Sequence, residues 1–227
     1  MAGNSGPKIV SNGLIYKLDA ANNKSFPKSG TEFKDLTRKK AASTLINGPV
    51  FNTGKNGHIV LDGVNDYIDC GVIKPTGAMT ISTWHKNDVY INTHVAGRGN
   101  VAGYEFGVQT SVPNKWSYWA RVAVASTQWV SVTTNPWIAD TTGWVNSVFV
   151  YIPSTSITTY QNGIQVGQNT TSIPASQYVG NPSNTRINAS GHPFYYAGSI
   201  AEVSIYDIAL TQNQILKNYR ATKSRFK

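Results

Sequence analysis

The sequence contains a single cysteine, Cys70, and no long apolar run. One thiol excludes a disulfide within the chain and a cysteine-rich metal site, so nothing indicates an oxidising compartment. No segment approaches the roughly 20 apolar residues of a membrane-spanning helix, so no membrane insertion is expected. The first residues, MAGNSGPKIV, also lack the apolar stretch of a secretory signal. The sequence alone therefore predicts a soluble protein that is made and kept in a reducing cytoplasm.

Acidic residues are scarce: Asp and Glu number 11 against 20 Lys and Arg, which gives a formal net charge of +9. Basic residues collect in residues 24–40 and after Asp207, whereas the stretch between Asp88 and Glu202 is polar but nearly uncharged. The six charged residues of that stretch are Arg98, Glu105, Lys115, Arg121, Asp140 and Arg186. Such a surface suits protein contacts or hydrogen bonds to sugars better than phosphate binding, so no nucleic acid partner is expected.

The scarcity of glutamate also argues against catalysis. Glycosidases need two carboxylates about 5 to 10 Å apart across the scissile bond, which on one strand means acids two or four positions apart. The sequence has only Glu32, Glu105 and Glu202, and none has an acidic residue at either spacing. It also lacks the G-x-S-x-G, P-loop and dinucleotide-binding motifs. A non-enzymatic protein is therefore predicted.

Alternation of apolar and polar residues predicts β-strands through most of the chain. The clearest alternating segments are residues 13–19, 58–69, 79–85, 144–151 and 158–166. Asn162-Gly163 is the signal of a two-residue hairpin turn of type I′. The predicted fold class is all-β, with antiparallel strands joined by short turns.

Residues 198–220 differ because their apolar spacing changes partway along. Ile200, Val203, Ile205 and Ile208 predict a strand, and Ile215, Leu216 and Tyr219 are spaced as in a helix. Thr211 can cap this helix, and Gln214 three residues later completes a capping box. A final strand followed by one short helix is expected.

This closing strand and helix resemble those of the concanavalin A-like, or laminin G-like, jelly-roll family. The loop after Asp19, the segment HIVLDGVNDYID at residues 58–69 and the segment MTISTWH at residues 79–85 carry the same resemblance. The resemblance implies a two-sheet antiparallel sandwich with one short C-terminal helix. It also implies that the last strand pairs beside the first and that Trp84 is buried.

The resemblance covers nearly the whole chain and defines its expected organisation. Residues 13–220 form the domain, residues 1–12 a short arm and residues 221–227 a basic tail. The sequence departs from the family at residues 37–40, where Thr-Arg-Lys-Lys replaces the usual Ser-Gly-Asn-Gly turn. Glycine permits a left-handed backbone that long cationic residues adopt less readily, so a different local loop is expected.

Residues 18–45 and the DG-x-x-DY hairpin resemble modules of tailed-phage head-decoration, fibre and tail-appendage proteins. The resemblance implies a non-enzymatic virion structural protein, assembled in the host cytoplasm onto capsid or tail proteins, whose lectin-like domain adsorbs to host polysaccharide. Head or tail location, copy number and homo-oligomerisation are left open. The residues predicted to dock onto an acidic virion surface are Arg38, Lys39, Lys40, Lys223, Arg225 and Lys227.

The alternative is a secreted, lectin-like carbohydrate-binding module. Aromatic side chains on the solvent face of a sheet stack on sugar rings, and a sandwich core needs large residues as well. The candidates for sugar contact are Trp119, Trp129 and Trp137.

Calcium is the one cofactor for which the sequence offers ligands. Asp62, Asn65 and Asp66 are oxygen donors within a single turn, as calcium requires. A turn that binds its own backbone amides needs the same residues, so a metal-free structural turn is the other interpretation. No other cofactor is expected.

Overall fold

In the computed structural model of the protein, two antiparallel sheets face each other. The structure describes residues 8–88, 93–98, 103–112, 115–125, 128–133, 143–178, 184–188, 195 and 197–226. Each sheet contains eight strands. A single α-helix follows the last strand. The fold class predicted from the sequence, an all-β sandwich of two antiparallel sheets with one short C-terminal helix, is confirmed.

Sheet A contains the first and the last strand of the chain. Its strands are β1 (Leu14–Asp19), β4 (Val50–Asn52), β5 (His58–Asp62), β7 (Met79–Asn87), β12 (Val145–Ile152), β13 (Ser156–Gln161), β14 (Ile164–Asn169) and β16 (Ala197–Tyr206). Their order is β14-β13-β12-β7-β16-β5-β4, and β1 also pairs with β16. Because Leu18 is aligned with Val203, the last strand lies beside the first, as predicted.

Sheet B is built from the remaining strands. They are β2 (Glu32–Phe33), β3 (Ser43–Ile46), β6 (Tyr67–Asp69), β8 (Thr93–Arg98), β9 (Tyr104–Val112), β10 (Lys115–Ala125), β11 (Gln128–Thr133) and β15 (Thr185–Ile187). Their order is β11-β10-β9-β8-β15-β6-β3-β2. A short 3-10 turn, Gly54–Asn56, connects β4 to β5 in sheet A.

The main core lies between the sheets, because each strand turns alternate side chains inward. Both sheets contribute buried apolar residues, among them Tyr16, Leu18, Ile59, Ile68, Ile81, Val122, Phe149, Ile187 and Ile205. The turn between β13 and β14 has φ of +50° at Asn162 and +82° at Gly163. A type I′ turn requires positive φ at both positions, so the predicted hairpin turn is confirmed.

The helix α1 (Gln212–Thr222) lies on the outer face of sheet A. Thr211 caps it through the predicted capping box, in which Gln214 N–H donates to the Thr211 hydroxyl and the Gln214 side chain accepts from Thr211 N–H. No helix in the described part of the chain is long and apolar enough to span a membrane.

Trp84 is buried, as predicted, with 3 % of its surface exposed. Its ring does not lie in the main core but on the outer face of sheet A, beneath the end of the chain. There it stacks on Phe226, with ring centroids 4.1 Å apart, and its indole N–H donates to the Thr222 hydroxyl at 2.8 Å. A tryptophan at this position therefore holds the C-terminal segment against the sheet.

Residues that the sequence assigns to an arm and a tail also take part in the packing. The Val10 N–H donates to Asn218 Oδ1 at 2.8 Å, and the Val10 carbonyl accepts from the Tyr206 hydroxyl at 3.1 Å. Beyond α1, the 3-10 turn Lys223–Phe226 brings the buried Phe226 onto sheet A. Single apolar residues such as these create no periodic pattern, which is why the sequence gives no sign of their packing.

Candidate functional site

The two sheets differ in what lies on their outer faces. On sheet A, α1 and the chain ends cover an apolar cluster formed by Val10, Val148, Val150, Tyr160, Tyr206, Leu210 and Ile215. On the outer face of sheet B, none of the described residues forms such a cover. Partly exposed side chains there include Tyr67, Asp69, Arg121, Trp129 and Arg186, with the exposed Asn184 beside them. These six residues are called the open face.

The first feature of the open face is a stack between Arg121 and Trp129. Val122 of β10 and Val132 of β11 are buried in the main core, so strand alternation turns Arg121 and Trp129 to the opposite side. The guanidinium carbon of Arg121 lies 4.3 Å from the centroid of the Trp129 ring. This cation–π contact holds a flat aromatic ring and a set of hydrogen-bond donors together at the surface.

The second feature is a similar stack on β6 and β15. The guanidinium carbon of Arg186 lies 4.8 Å from the Tyr67 ring centroid. Asp69 holds this arginine from the side, with 4.0 Å between Asp69 Oδ2 and Arg186 Nε, and Asn184 Nδ2 donates to Asp69 Oδ1 at 2.8 Å. Because β8 and β9 separate β15 from β10, Arg186 and Arg121 lie three strand spacings, or about 14 Å, apart across the sheet, and the two aromatic rings lie on the strands beyond them.

The tryptophans predicted to contact sugar are distributed unevenly. Trp129 lies on the open face. Trp119 lies in β10, where its backbone is aligned with Gly107 of β9 and Thr133 of β11. Its side chain is outside the described part of the structure. Trp137 lies outside the described residues. Sequence reasoning did not select Arg121 or Arg186, although a charge within an otherwise uncharged stretch was an available signal.

The turn at Asp62 is built by its own side chain. Asp62 Oδ1 accepts hydrogen bonds from the backbone N–H groups of Val64, Asn65 and Asp66, at 2.8, 3.2 and 3.3 Å. These bonds lower the pKa of Asp62, that from Val64 contributing most. The geometry is that of the Asx-type turn that the sequence allowed as one interpretation.

Asp66 faces inward from the same turn, with 3 % of its surface exposed. Its Oδ2 accepts from the Asp62 N–H at 3.1 Å, whereas its Oδ1 is buried without a hydrogen-bond partner. Burial raises the pKa of this carboxyl. Calcium would need further oxygen ligands around Oδ1, and among the described residues no group of three His, Cys, Asp or Glu is placed to hold a metal ion. The calcium site therefore stays a prediction for Asp62, Asn65 and Asp66.

The loop at residues 37–40 keeps a left-handed position although it lacks glycine. Arg38 has a φ of +60°. The buried Asp35 organises the loop, because its carboxylate accepts from the N–H groups of Lys39 and Lys40, both at 3.1 Å. The Lys39 ammonium is itself bound to the Leu14 carbonyl at 2.8 Å. All three predicted docking cations of this loop are exposed, and Arg38 and Lys40 have the less constrained side chains.

The C-terminal docking cations are also placed differently from one another. Arg225 donates to Asp19 Oδ1 at 2.7 Å, to the Lys55 carbonyl at 2.8 Å and to the Gly57 carbonyl. Lys223 lies over the ring of Tyr219, 5.7 Å from its centroid. Lys227 is outside the described residues. Arg225 thus contributes to the fold itself.

Ser147, His85 and Asn87 form a hydrogen-bonded chain inside the sandwich. His85 Nε2 lies 2.9 Å from Ser147 Oγ, and its Nδ1 lies 3.2 Å from Asn87 Oδ1. The catalytic nucleophile, the general base and the residue that orients the base are hydrogen-bonded in the same order in hydrolases, and Ser147, His85 and Asn87 would take these three roles. Here all three are buried, and desolvation lowers the pKa of His85 to about 4. A substrate could reach these three residues only if the sheets separated. They are therefore buried polar side chains of the core that hydrogen-bond to one another.

Comparison of the sequence with protein families gives a match over residues 53–216 to the group described as the concanavalin A-like lectin/glucanases superfamily. That range includes the Asp62 turn, most strands of both sheets and the start of α1. No curated protein is significantly similar to the sequence.

Several solved structures share the fold. Domain 4 of an extracellular arabinanase from Geobacillus stearothermophilus, in complex with arabinotriose, superposes with a TM-score of 0.71 at 17% identity, over 91% of this chain and 98% of that one. The binding domain of Paraclostridial Mosquitocidal Protein 1 gives 0.70 at 13% identity, over 91% and 52%. The ligand-binding domain of botulinum neurotoxin serotype D, in complex with N-acetylneuraminic acid, gives 0.67 at 11% identity, over 91% and 50%. The chain thus spans about half of each toxin domain.

Proposed function

Because the chain belongs to the concanavalin A-like lectin/glucanases superfamily, we propose that it is a non-enzymatic lectin-type domain that binds carbohydrate on the open face. The observation that carries this proposal is the stack of Arg121 on Trp129 at a sheet surface that no described element covers. An aromatic ring offers an apolar plane to the C–H groups of a sugar, and a guanidinium supplies donors for its hydroxyl groups.

The second stack extends the proposed site. Arg186 and Tyr67 repeat the pairing of cation and ring, with Arg186 about 14 Å from Arg121, so an oligosaccharide chain lying across the strands contacts both pairs. Asp69 and Asn184 add acceptors and donors beside the second ring. A short glycan chain is therefore the ligand expected here, in preference to a single sugar.

The structural neighbours support a glycan ligand. The arabinanase domain was solved with arabinotriose and the neurotoxin domain with N-acetylneuraminic acid. Both identities are low, so the neighbours indicate a class of ligand for testing and leave the particular sugar open.

The test is a glycan array with the purified protein, followed by calorimetric titration of the best oligosaccharide. Trp129→Ala and Arg121→Gln are expected to weaken binding at least tenfold. Ile164→Ala, which truncates an exposed apolar side chain on β14 of sheet A, is the matched control and is expected to leave the affinity unchanged. Equal effects of all three substitutions, or binding that survives Trp129→Ala, would overturn the assignment of the site. Incubation of the bound glycan with the protein is expected to release no product.

We also propose that the domain is carried on a bacteriophage particle, where it adsorbs to host polysaccharide. The resemblance of residues 18–45 and of the DG-x-x-DY hairpin to tailed-phage modules supports this role, and the exposed side chains of Arg38 and Lys40 suit an acidic docking surface. Lysate of the native source is fractionated on a density gradient and probed with an antibody. Cosedimentation with virus-sized particles is expected, and recovery only with soluble protein or in the medium would contradict the proposal.

A further inference from the structure

The loops before and after β2 line a recess in the protein surface, which is independent of the open face. Its volume is about 470 Å³, within the range of small-ligand sites. It is called the basic cleft and is lined by Asn23, Lys24, Pro27, Lys34, Asp35, Leu36 and Arg38.

The cleft has a rigid frame. Ser25 is completely buried and joins the two sides of the loop, since its hydroxyl donates to the Lys34 carbonyl at 2.6 Å and its own carbonyl accepts from the Lys34 N–H at 2.7 Å. Phe26 anchors the same segment, with its ring 5.3 Å from that of Phe33. Lys24 and Lys34, which belong to these joined segments, are therefore held on neighbouring walls.

The wall bearing Arg38 is fixed by Asp35. The Asp35 carboxylate accepts from the N–H groups of Lys17, Thr37, Lys39 and Lys40 and from the Thr37 hydroxyl. These bonds hold the left-handed turn at Arg38. Although Asp35 lines the cleft, its carboxylate oxygens already accept hydrogen bonds from the loop and have few lone pairs left to bind a ligand.

The charges of the cleft favour an anion. Lys24, Lys34 and Arg38 contribute three cations to its lining. The acid within the lining is Asp35, whose charge is hydrogen-bonded inside its own loop. Outside the lining, Glu32 lies 3.7 Å from the Lys34 ammonium, but both side chains are more than half exposed and such pairs are weak. The lining therefore has a net positive charge next to the apolar rings and branches of Pro27 and Leu36.

We propose that the basic cleft binds a carboxylated sugar unit, of the uronic acid class, from an acidic polysaccharide. Arg38 and the two lysines bind the carboxylate, because a guanidinium pairs with it through two parallel hydrogen bonds. Pro27 and Leu36 contact the apolar face of the ring, and Asn23 hydrogen-bonds a hydroxyl. A nucleic acid would need a longer basic track than a recess of this size offers.

The test uses the full chain and three probes: glucuronic acid, glucose as its uncharged counterpart, and acetate as the carboxylate alone. Binding is followed by ligand-observed NMR titration at low salt. Glucuronic acid is expected to bind at least fivefold more tightly than either of the other probes. Equal binding of acetate would reduce the cleft to an adventitious anion site, and no binding of glucuronic acid would overturn the proposal outright.

Substitutions locate the site. Arg38→Gln and Lys34→Gln are expected to weaken glucuronic acid binding at least fivefold. Lys40→Gln removes the same charge from the same loop but does not line the cleft, so less than a twofold change is expected. Equal losses in Lys40→Gln and Arg38→Gln would contradict the proposal, with thermal unfolding confirming that each variant is folded. Trp129→Ala is expected to leave this binding intact, which separates the outcome from that of the open face.

Discussion

Arg225 and Asp19, which lie 206 positions apart in the sequence, form an ion pair with 2.7 Å between Nη1 and Oδ1. The side chains are only 12% and 19% exposed. The same guanidinium binds the carbonyls of Lys55 and Gly57, so one residue joins the chain end to the end of β1 and to the turn before β5.

Arg225→Gln is therefore expected to destabilise the fold by about 2 kcal/mol, the range for hydrogen bonds to charged groups. Urea unfolding measures the change. Lys223→Gln removes the same charge from the same 3-10 turn and only a cation–π contact with Tyr219, so a loss of no more than about 0.5 to 1 kcal/mol is expected for it. Similar losses of unfolding free energy in the two variants would mean that the overall charge of the segment, and not the ion pair with Asp19, stabilises the fold.

The buried His85 predicts a specific pH dependence of stability. Desolvation lowers its folded-state pKa to about 4, from the ordinary value of 6.5. As the pH falls through 6.5 the unfolded chain takes up a proton and the folded one does not, so unfolding is favoured increasingly until the pH reaches about 4. The free energy of unfolding should drop by about 3 kcal/mol over this window.

Urea titrations at intervals between pH 7 and pH 4 measure this slope. His58, whose pKa is also lowered by burial, acts in the same direction, so the wild-type slope contains both residues. His85→Gln isolates the buried residue and should have the shallower slope. An unchanged slope in His85→Gln would show that His85 is not neutral in the folded protein.

Asp62→Ala distinguishes the two interpretations of the DG-x-x-DY turn. Loss of three amide hydrogen bonds to Oδ1 is expected to cost about 1 kcal/mol, as for other side chains that cap backbone amides. If the turn is purely structural, the loss is the same in calcium and in chelator. Stabilisation of the wild type by calcium, absent from Asp62→Ala, would instead reveal a bound ion.

Gly63 is expected to be less replaceable than Gly71. Both have left-handed backbones, with φ of +75° and +64°. A Cβ at Gly63 would lie 2.6 Å from the Cβ of Ala197 in β16, whereas a Cβ at Gly71 meets no atom within 4 Å. Gly71→Ala should cost about 1 kcal/mol from strain alone, and Gly63→Ala about 2 to 3 kcal/mol because packing adds to it.

Thermal unfolding of the two glycine variants measures the difference directly. Equal losses would show that β16 moves away from the turn without penalty.

Much of the fold could be predicted because its signals are local. The strand containing Ile200, Val203 and Ile205, the turn at Asn162-Gly163 and the capping box at Thr211 each involve residues close together in the chain, and each is observed. The strand ends at Tyr206, before the Ile208 that was predicted to belong to it, and its register shifts between Ile200 and Glu202. The pairing of β1 with β16 was implied by resemblance to a known family, because no local pattern reports which distant strands meet.

The candidate sites were less predictable, since they depend on register and on long-range partners. Trp129 was selected as an aromatic residue, but its contact with Arg121 follows from the alignment of β10 with β11. Arg38 was expected to alter its loop, and the left-handed backbone was retained because the buried Asp35 supplies the hydrogen bonds. Arg225 was predicted to dock onto a partner, whereas its nearest acid lies in β1.

The positions of Val10 and Phe226 on the outer face of sheet A have a further consequence. Both described ends of the chain leave the sandwich on the side opposite the open face. A carrier joined next to Val10 or Phe226 would therefore attach on the side away from the open face and leave that face accessible. Immobilisation through a tag joined at either of these positions should leave the open face accessible on every molecule, and a multivalent display could be assembled in the same way without covering that face.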